Sequence, residues 1–242
     1  LKMRYLIKYT KCSDIKYVSH LELMRTIQRI FRRSELPVEY SKGFNPHIIL
    51  SIAQPLSVGV YSKAEYMDVE FSEEVEGNHI KDQFNDNAPM GIKVVDVVKV
   101  KDKEGEKKLP QAMAAVEAAR YTMELRCIDG KAVEEKLNGL MKSSEWNIVK
   151  KSKKGEKEVN IKPLIKELKF NVRDNVLYID TLVTAGSKEN LSAQLLEDYL
   201  KANIESLDKD AFTYIERIEM LAYKGNKLVS LSEYFKTESG KV

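Results

Sequence analysis

Cysteine is nearly missing. Cys12 and Cys127 are the two in 242 residues, too few and too far apart for a disulfide framework, a four-cysteine metal site or an iron–sulfur cluster. Histidine is as scarce. His20, His47 and His79 are the three, and no two stand one helical turn apart as a metal-binding pair would. The glycines follow neither the phosphate-cradling nor the dinucleotide-binding spacing. Apolar runs end after a few residues, far short of the roughly 20 needed to cross a bilayer, and no charged-then-apolar signal opens the chain. A cytoplasmic protein with no membrane partner and no cofactor of its own is the expectation.

What is present fits an ordinary folded chain. Apolar residues make up 43% and charged residues 32%, enough to fill one large core or two of about 100 residues each. A net charge of +3 conceals segregation. Residues 1–33 carry nine Lys or Arg against two acids, residues 34–100 five against eleven, and residues 142–169 nine Lys against four Glu. Basic blocks of this kind suit anionic partners at particular faces.

Alternation in Met3–Tyr9 predicts a strand. Ser19 and Glu22 form a capping box, and Leu23, Met24, Ile27, Ile30 and Phe31 recur at helical spacing, predicting a helix over 20–34 that ends before Pro37. A Gly-Phe-Asn-Pro turn at 43–46, a buried run at 47–53, strands at 66–71 and 92–98 and a helix at 77–87 complete a strand–helix–strand–strand–helix–strand order. The second half repeats it with strands at 121–127, 146–149, 176–182 and 212–221 and helices at 131–141 and 191–202. The expected fold is α+β, two tandem ferredoxin-like (βαββαβ) domains with antiparallel sheets. Residues 1–100 form the first, 101–119 a charged linker with a short Ala-rich helix, and 120–242 the second.

On the helical wheel Arg25, Arg29, Arg32 and Arg33 share the face opposite Met24, Ile27 and Phe31. Guanidiniums in a row suit a phosphate backbone, although a solvated polar face paired with acids from 65–76 would read the same. The segment 40–47 brings Lys42, Phe44, Asn45 and His47 together around Gly43, as a ligand-holding loop or as a plain turn before a strand. His20 and His47 could converge as an acid–base pair for phosphodiester cleavage; a packed helix histidine is the simpler alternative. Lys150, Lys151, Lys153, Lys154 and Lys157 crowd a hairpin that either contacts phosphates or only solubilises. The Thr184–Lys188 turn precedes a helix start, and Trp146, Tyr121, Tyr178 and Tyr214 read as strand core.

Several motifs carry a resemblance: Val18-Ser19-His20-Leu21-Glu22-Leu23-Met24-Arg25, Leu36-Pro37-Val38-Glu39-Tyr40-Ser41-Lys42-Gly43-Phe44-Asn45-Pro46-His47, Pro55-Leu56-Ser57-Val58-Gly59 and Ala64-Glu65-Tyr66-Met67-Asp68. Val159-Asn160-Ile161-Lys162-Pro163 and Ala185-Gly186-Ser187-Lys188 extend it over nearly the whole chain. Together they resemble the uncharacterised radical-SAM-linked family of bacterial proteins. The resemblance implies association with a cobalamin-type radical-SAM protein and a setting near RNA-processing and ribosomal genes; it brings no established activity. Ile48 stands where a second proline is usual in that family, and Asn160-Ile161-Lys162 where Asp-Ile-Arg is common. The layout is also similar to that of CRISPR repeat-processing endoribonucleases, without their Gly-rich loop near the C-terminus. The expected function is an RNA-binding or RNA-presenting accessory protein acting with a radical-SAM enzyme in RNA or ribosome modification. Its alternatives are a scaffold docking that enzyme without touching RNA, and a metal-independent endoribonuclease.

Overall fold

A computed structural model describes residues 3–12, 15–101, 108–152 and 155–236. The first strand, β1 (Met3–Lys11), turns Tyr5, Ile7 and Tyr9 to one side, where they meet Leu23, Ile27, Ile30 and Phe31 of α1 (His20–Arg33). Strand β2 (Leu50–Ile52) follows, then β3 (Tyr61–Phe71), α2 (Gly77–Asn87) and β4 (Ile92–Val100). Phe31 and Phe84 pack edge to face at 5.2 Å, joining the two helices over the sheet. Burying such rings contributes about 1.5–3 kcal/mol each. Both β3 and β4 flank β1 antiparallel, Met3 opposite Phe71 and Arg4 opposite Val100. On its other edge β3 takes β2, with Leu50 opposite Val69.

The cap at Ser19 forms as expected, its hydroxyl accepting from the Glu22 amide. Glu22 does not reach back to the cap amide; its carboxylate takes Arg25 at 2.6 Å instead. A cation one turn along the same face competes better than a lone amide.

Next come α3 (Ala112–Ala115), β5 (Ala118–Arg126) and α4 (Gly130–Lys142). Strands β6 (Asn147–Ser152) and β7 (Gly155–Asn160) form a two-stranded sheet of their own. After them come β8 (Ile165–Arg173), β9 (Val176–Thr184), α5 (Ala193–Asn203), β10 (Tyr214–Lys224), β11 (Lys227–Ser230) and α6 (Leu231–Phe235). The chain divides into two compact units, 1–117 with 219–242, and 118–218. In the second, β9 is flanked by β5 and β8, both antiparallel. The strand expected at 146–149 enters a Lys-rich hairpin as read, but that hairpin is a separate two-stranded sheet, and β8 takes its place in the large sheet. Trp146, just before β6, is buried and stacked on Tyr199 at 4.8 Å with its ring N–H on the Leu140 carbonyl.

The architecture is therefore mixed α+β with mostly antiparallel pairing. Among the described residues no helix is long and apolar enough to cross a membrane.

Candidate nucleic-acid interface

Helix α1 sorts its residues by the 100° step of an α-helix. Leu23, Ile27, Ile30 and Phe31 are buried, while Arg25, Arg29, Arg32 and Arg33 are exposed. The four guanidiniums fall within about 100° of circumference and about 12 Å of rise. Their internal ties are light. Arg25 pairs with Glu22, both groups more than half exposed, Arg29 donates to the Thr26 hydroxyl at 3.1 Å, and Arg33 donates to the Asn87 carbonyl at 2.9 Å. An exposed pair of this kind is worth about 0–1 kcal/mol and yields readily to a phosphate. Among the described residues none of these arginines forms an ion pair with the acids of 65–76.

The loop at 40–47 is a closed hairpin. Tyr40 bridges Ile48, the Ser41 amide donates to the His47 carbonyl at 2.8 Å, and the Ser41 hydroxyl accepts from the His47 amide at 3.1 Å. The same hydroxyl meets His47 Nδ1 at 2.8 Å. Gly43 takes φ +129°, a conformation that favours glycine. Beyond this clasp Lys42, Phe44 and Asn45 stand in solvent, Phe44 106% exposed.

His20 and His47 are not brought together. Val38 pairs with Phe71, and Phe31 lies 6.4 Å from the same ring, so the hairpin is rooted beside the last turns of α1. His20 opens that helix, about 16 Å of rise before Phe31. No hydrogen bond joins the two histidines among the described residues.

In the second unit Lys150 and Lys157 are directly opposite on β6 and β7, and both are exposed. Like charges so paired repel, and an anion between them relieves the repulsion. Lys151 is opposite Glu156, while Lys153 and Lys154 lie outside the described residues. Tyr121 is buried, with its hydroxyl accepting from Arg217 at 3.1 Å, as a core reading requires. Tyr178 is half-buried with the Arg173 guanidinium 5.6 Å above its ring.

Sequence reasoning missed a part-buried polar cluster. Lys8 and Tyr66 both donate to Glu219 at 2.7 Å, and burial with the nearby carboxylate pushes the Tyr66 hydroxyl far above its ordinary value. Nothing local joins residues 8, 66 and 219. Only the alternation of their strands hinted at a shared face. Among the described residues no group of three or more His, Cys, Asp or Glu is placed to hold a metal ion.

The model of a protein family described as an uncharacterised protein conserved in bacteria (DUF2344) matches residues 4–193. No curated protein matches. A crystal structure of an unknown protein from Galdieria sulphuraria is similar at 8% identity over 90% of this chain and 99% of that one, with a TM-score of 0.26. A proposed glycine cleavage system transcriptional repressor is similar at 9% identity over 89% and 96%, with a TM-score of 0.23. At such TM-scores neither likeness carries an argument about fold or function.

Proposed function

We propose, for a chain that belongs to this uncharacterised family conserved in bacteria, an RNA-binding or RNA-presenting role beside a radical-SAM enzyme that modifies RNA or a ribosomal component. The observation that carries the RNA half is the exposed row of Arg25, Arg29, Arg32 and Arg33 opposite the buried stripe of α1. The radical-SAM half rests on the motif resemblance alone. Each unit is read as ferredoxin-like, supported by strand orders in which β1 lies between β4 and β3, and β5 and β8 flank β9. Lys150 and Lys157 act as a peripheral clamp, and Lys42, Phe44, Asn45 and His47 as the contact at the hairpin tip. The ribonuclease reading loses its acid–base pair to the separation of His20 from His47.

Purified protein should bind structured RNA with affinity that falls steeply with salt. Changing Arg25, Arg29, Arg32 and Arg33 together to Gln should remove most of the binding and make the slope of log K against log salt shallower by about 3. An unchanged affinity in the folded variant refutes the arginine track. A protein-docking scaffold would instead bind its partner in a salt-tolerant manner and ignore RNA.

A further inference from the structure

Among the described residues, both faces of the first unit's sheet are covered around Leu6 and Tyr66. One side is the core beneath α1 and α2. The other is closed by the chain around residue 110 and by α6. Arg4 donates to the Pro110 and Leu109 carbonyls at 3.0 and 3.2 Å, Asp68 accepts from the Ala112 amide at 2.7 Å, and the Phe235 ring lies 5.6 Å from the Arg4 guanidinium. Leu6 and Tyr66 beneath them are buried. Reading of an anionic polymer by this unit falls to the polar face of α1 and to the hairpin beside it.

The hairpin carries an aromatic tip that stands clear of its closed base. Three contacts between Ser41 and His47 close it, and Ile48 anchors it in the core. Phe44 is thus held in water with no apolar cover, the position an aromatic takes when its ring is to be covered by something else. Its neighbours Lys42 and Asn45 are a cation and an amide, both exposed, suited to a phosphate and a base edge. Tyr40 at the base of the hairpin is also exposed, so the choice of a nucleotide over a protein rests on Lys42, Asn45 and the neighbouring arginine row. Phe71 touches both the root of the hairpin and Phe31 of α1, which ties the tip to the Arg32 and Arg33 end of the arginine row.

We propose that Phe44 stacks on an unpaired base, and that the ligand class is RNA with a bulged or loop nucleotide beside a duplex whose phosphates lie on Arg29, Arg32 and Arg33. This rests on the RNA reading above. An unpaired base costs least to turn out of its stack, and every base offers a face to the ring, so recognition is of an unstacked nucleotide rather than of a sequence.

The test uses the full chain and two hairpin RNAs, one fully paired and one carrying a single unpaired fluorescent adenine analogue in its stem. The bulged RNA should bind at least about five-fold more tightly, with the fluorescence quenched on binding. Phe44→Ala should bring its affinity down to that of the paired RNA and abolish the quenching, while leaving the salt slope unchanged; Phe44→Trp should keep both. Equal binding of the two RNAs, with the arginine dependence intact, overturns the stacking proposal and leaves the RNA reading standing. Binding of neither RNA overturns both. If Phe44→Ala leaves bulged-RNA binding untouched but loses a protein partner, the tip is a docking anchor and the proposal fails.

Discussion

At Asp68 a single carboxylate shows how burial and pairing compete. It lies within the first unit with one oxygen on the Ala112 amide and the other 3.9 Å from Arg4. Burial outweighs both and pushes the carboxyl above its ordinary value of 3.8. The folded chain then holds a proton that the unfolded chain has already released, so Asp68 contributes less to stability as pH rises from 3.8 through the folded value, and stays at that lower level above it. Asn keeps the acceptor for Ala112 and removes the charge. In urea unfolding at a series of pH values, Asp68→Asn should therefore gain on the parent across this window and then run parallel to it. A parent that gains instead would mean the Arg4 charge dominates. Ser19 illustrates the opposite case, a role legible in sequence because a helix cap is made within four residues. Glu22 departs from the expected capping box for the same reason of locality: its alternative partner, Arg25, is just as near.

At the scale of elements, the junction of β7 with the short 3₁₀ turn Lys162–Leu164 rests on two side chains, Asn160 and Lys162. Asn160 Oδ1 accepts from the amides of Trp146 and Lys162 at 2.9 and 3.0 Å. Lys162 then lies 4.4 Å over the Trp146 ring and donates to the Met141 carbonyl at the end of α4. Two amide donors on one oxygen are served as well by Asp as by Asn, and a cation over an indole as well by Arg as by Lys. Asn160→Asp should therefore change stability little, whereas Asn160→Ala, which leaves both amides without their acceptor, should cost about 1–3 kcal/mol in a chemical melt followed by Trp146 fluorescence. A large loss in the Asp variant would show that the amide nitrogen matters. Strand β8 is legible in its alternation: Leu168, Phe170 and Val172 alternate with exposed Lys169, Asn171 and Arg173, though much of the stretch lies in a lysine-rich block whose charge masks the period of two. The pairing of Lys150 with Lys157 was not legible, because register across a hairpin depends on its turn.

For the whole molecule, the decisive feature is where the chain ends up after residue 218. Residues 219–242 belong with 1–117: Glu219 accepts from Lys8 and Tyr66, and Leu231 and Phe235 of α6 are fully buried. A chain ending at Ile218 would leave the Tyr66 hydroxyl without its carboxylate and remove the buried side chains of Met220, Leu231 and Phe235, which contribute about 1.5–3 kcal/mol each, together with buried Ala222. The first unit of that truncated chain should lose about 5 kcal/mol or more, read as lost hydrogen-exchange protection of β1 and β3 amides. Trp146, the single tryptophan, lies in the second unit, and its emission should change far less. Equal loss at both units would mean that they do not unfold separately.

By itself the sequence determined what short-range chemistry determines: the helices at 20–34 and 77–87 from apolar spacing, the cap at Ser19, the strand at Met3–Tyr9 from alternation, and an arginine row that any α-helix through those residues must present on one face. Tertiary structure decided which of these groups meet. It set His20 and His47 at different ends of α1, and it closed the Ser41–His47 clasp that holds Phe44 in water. It also laid α6 over the sheet face of the first unit and joined residue 8 to residue 219. Each depends on contacts between positions far apart in the chain, whose pairing follows from how buried faces fit one another, and no local pattern of residue types specifies that fit.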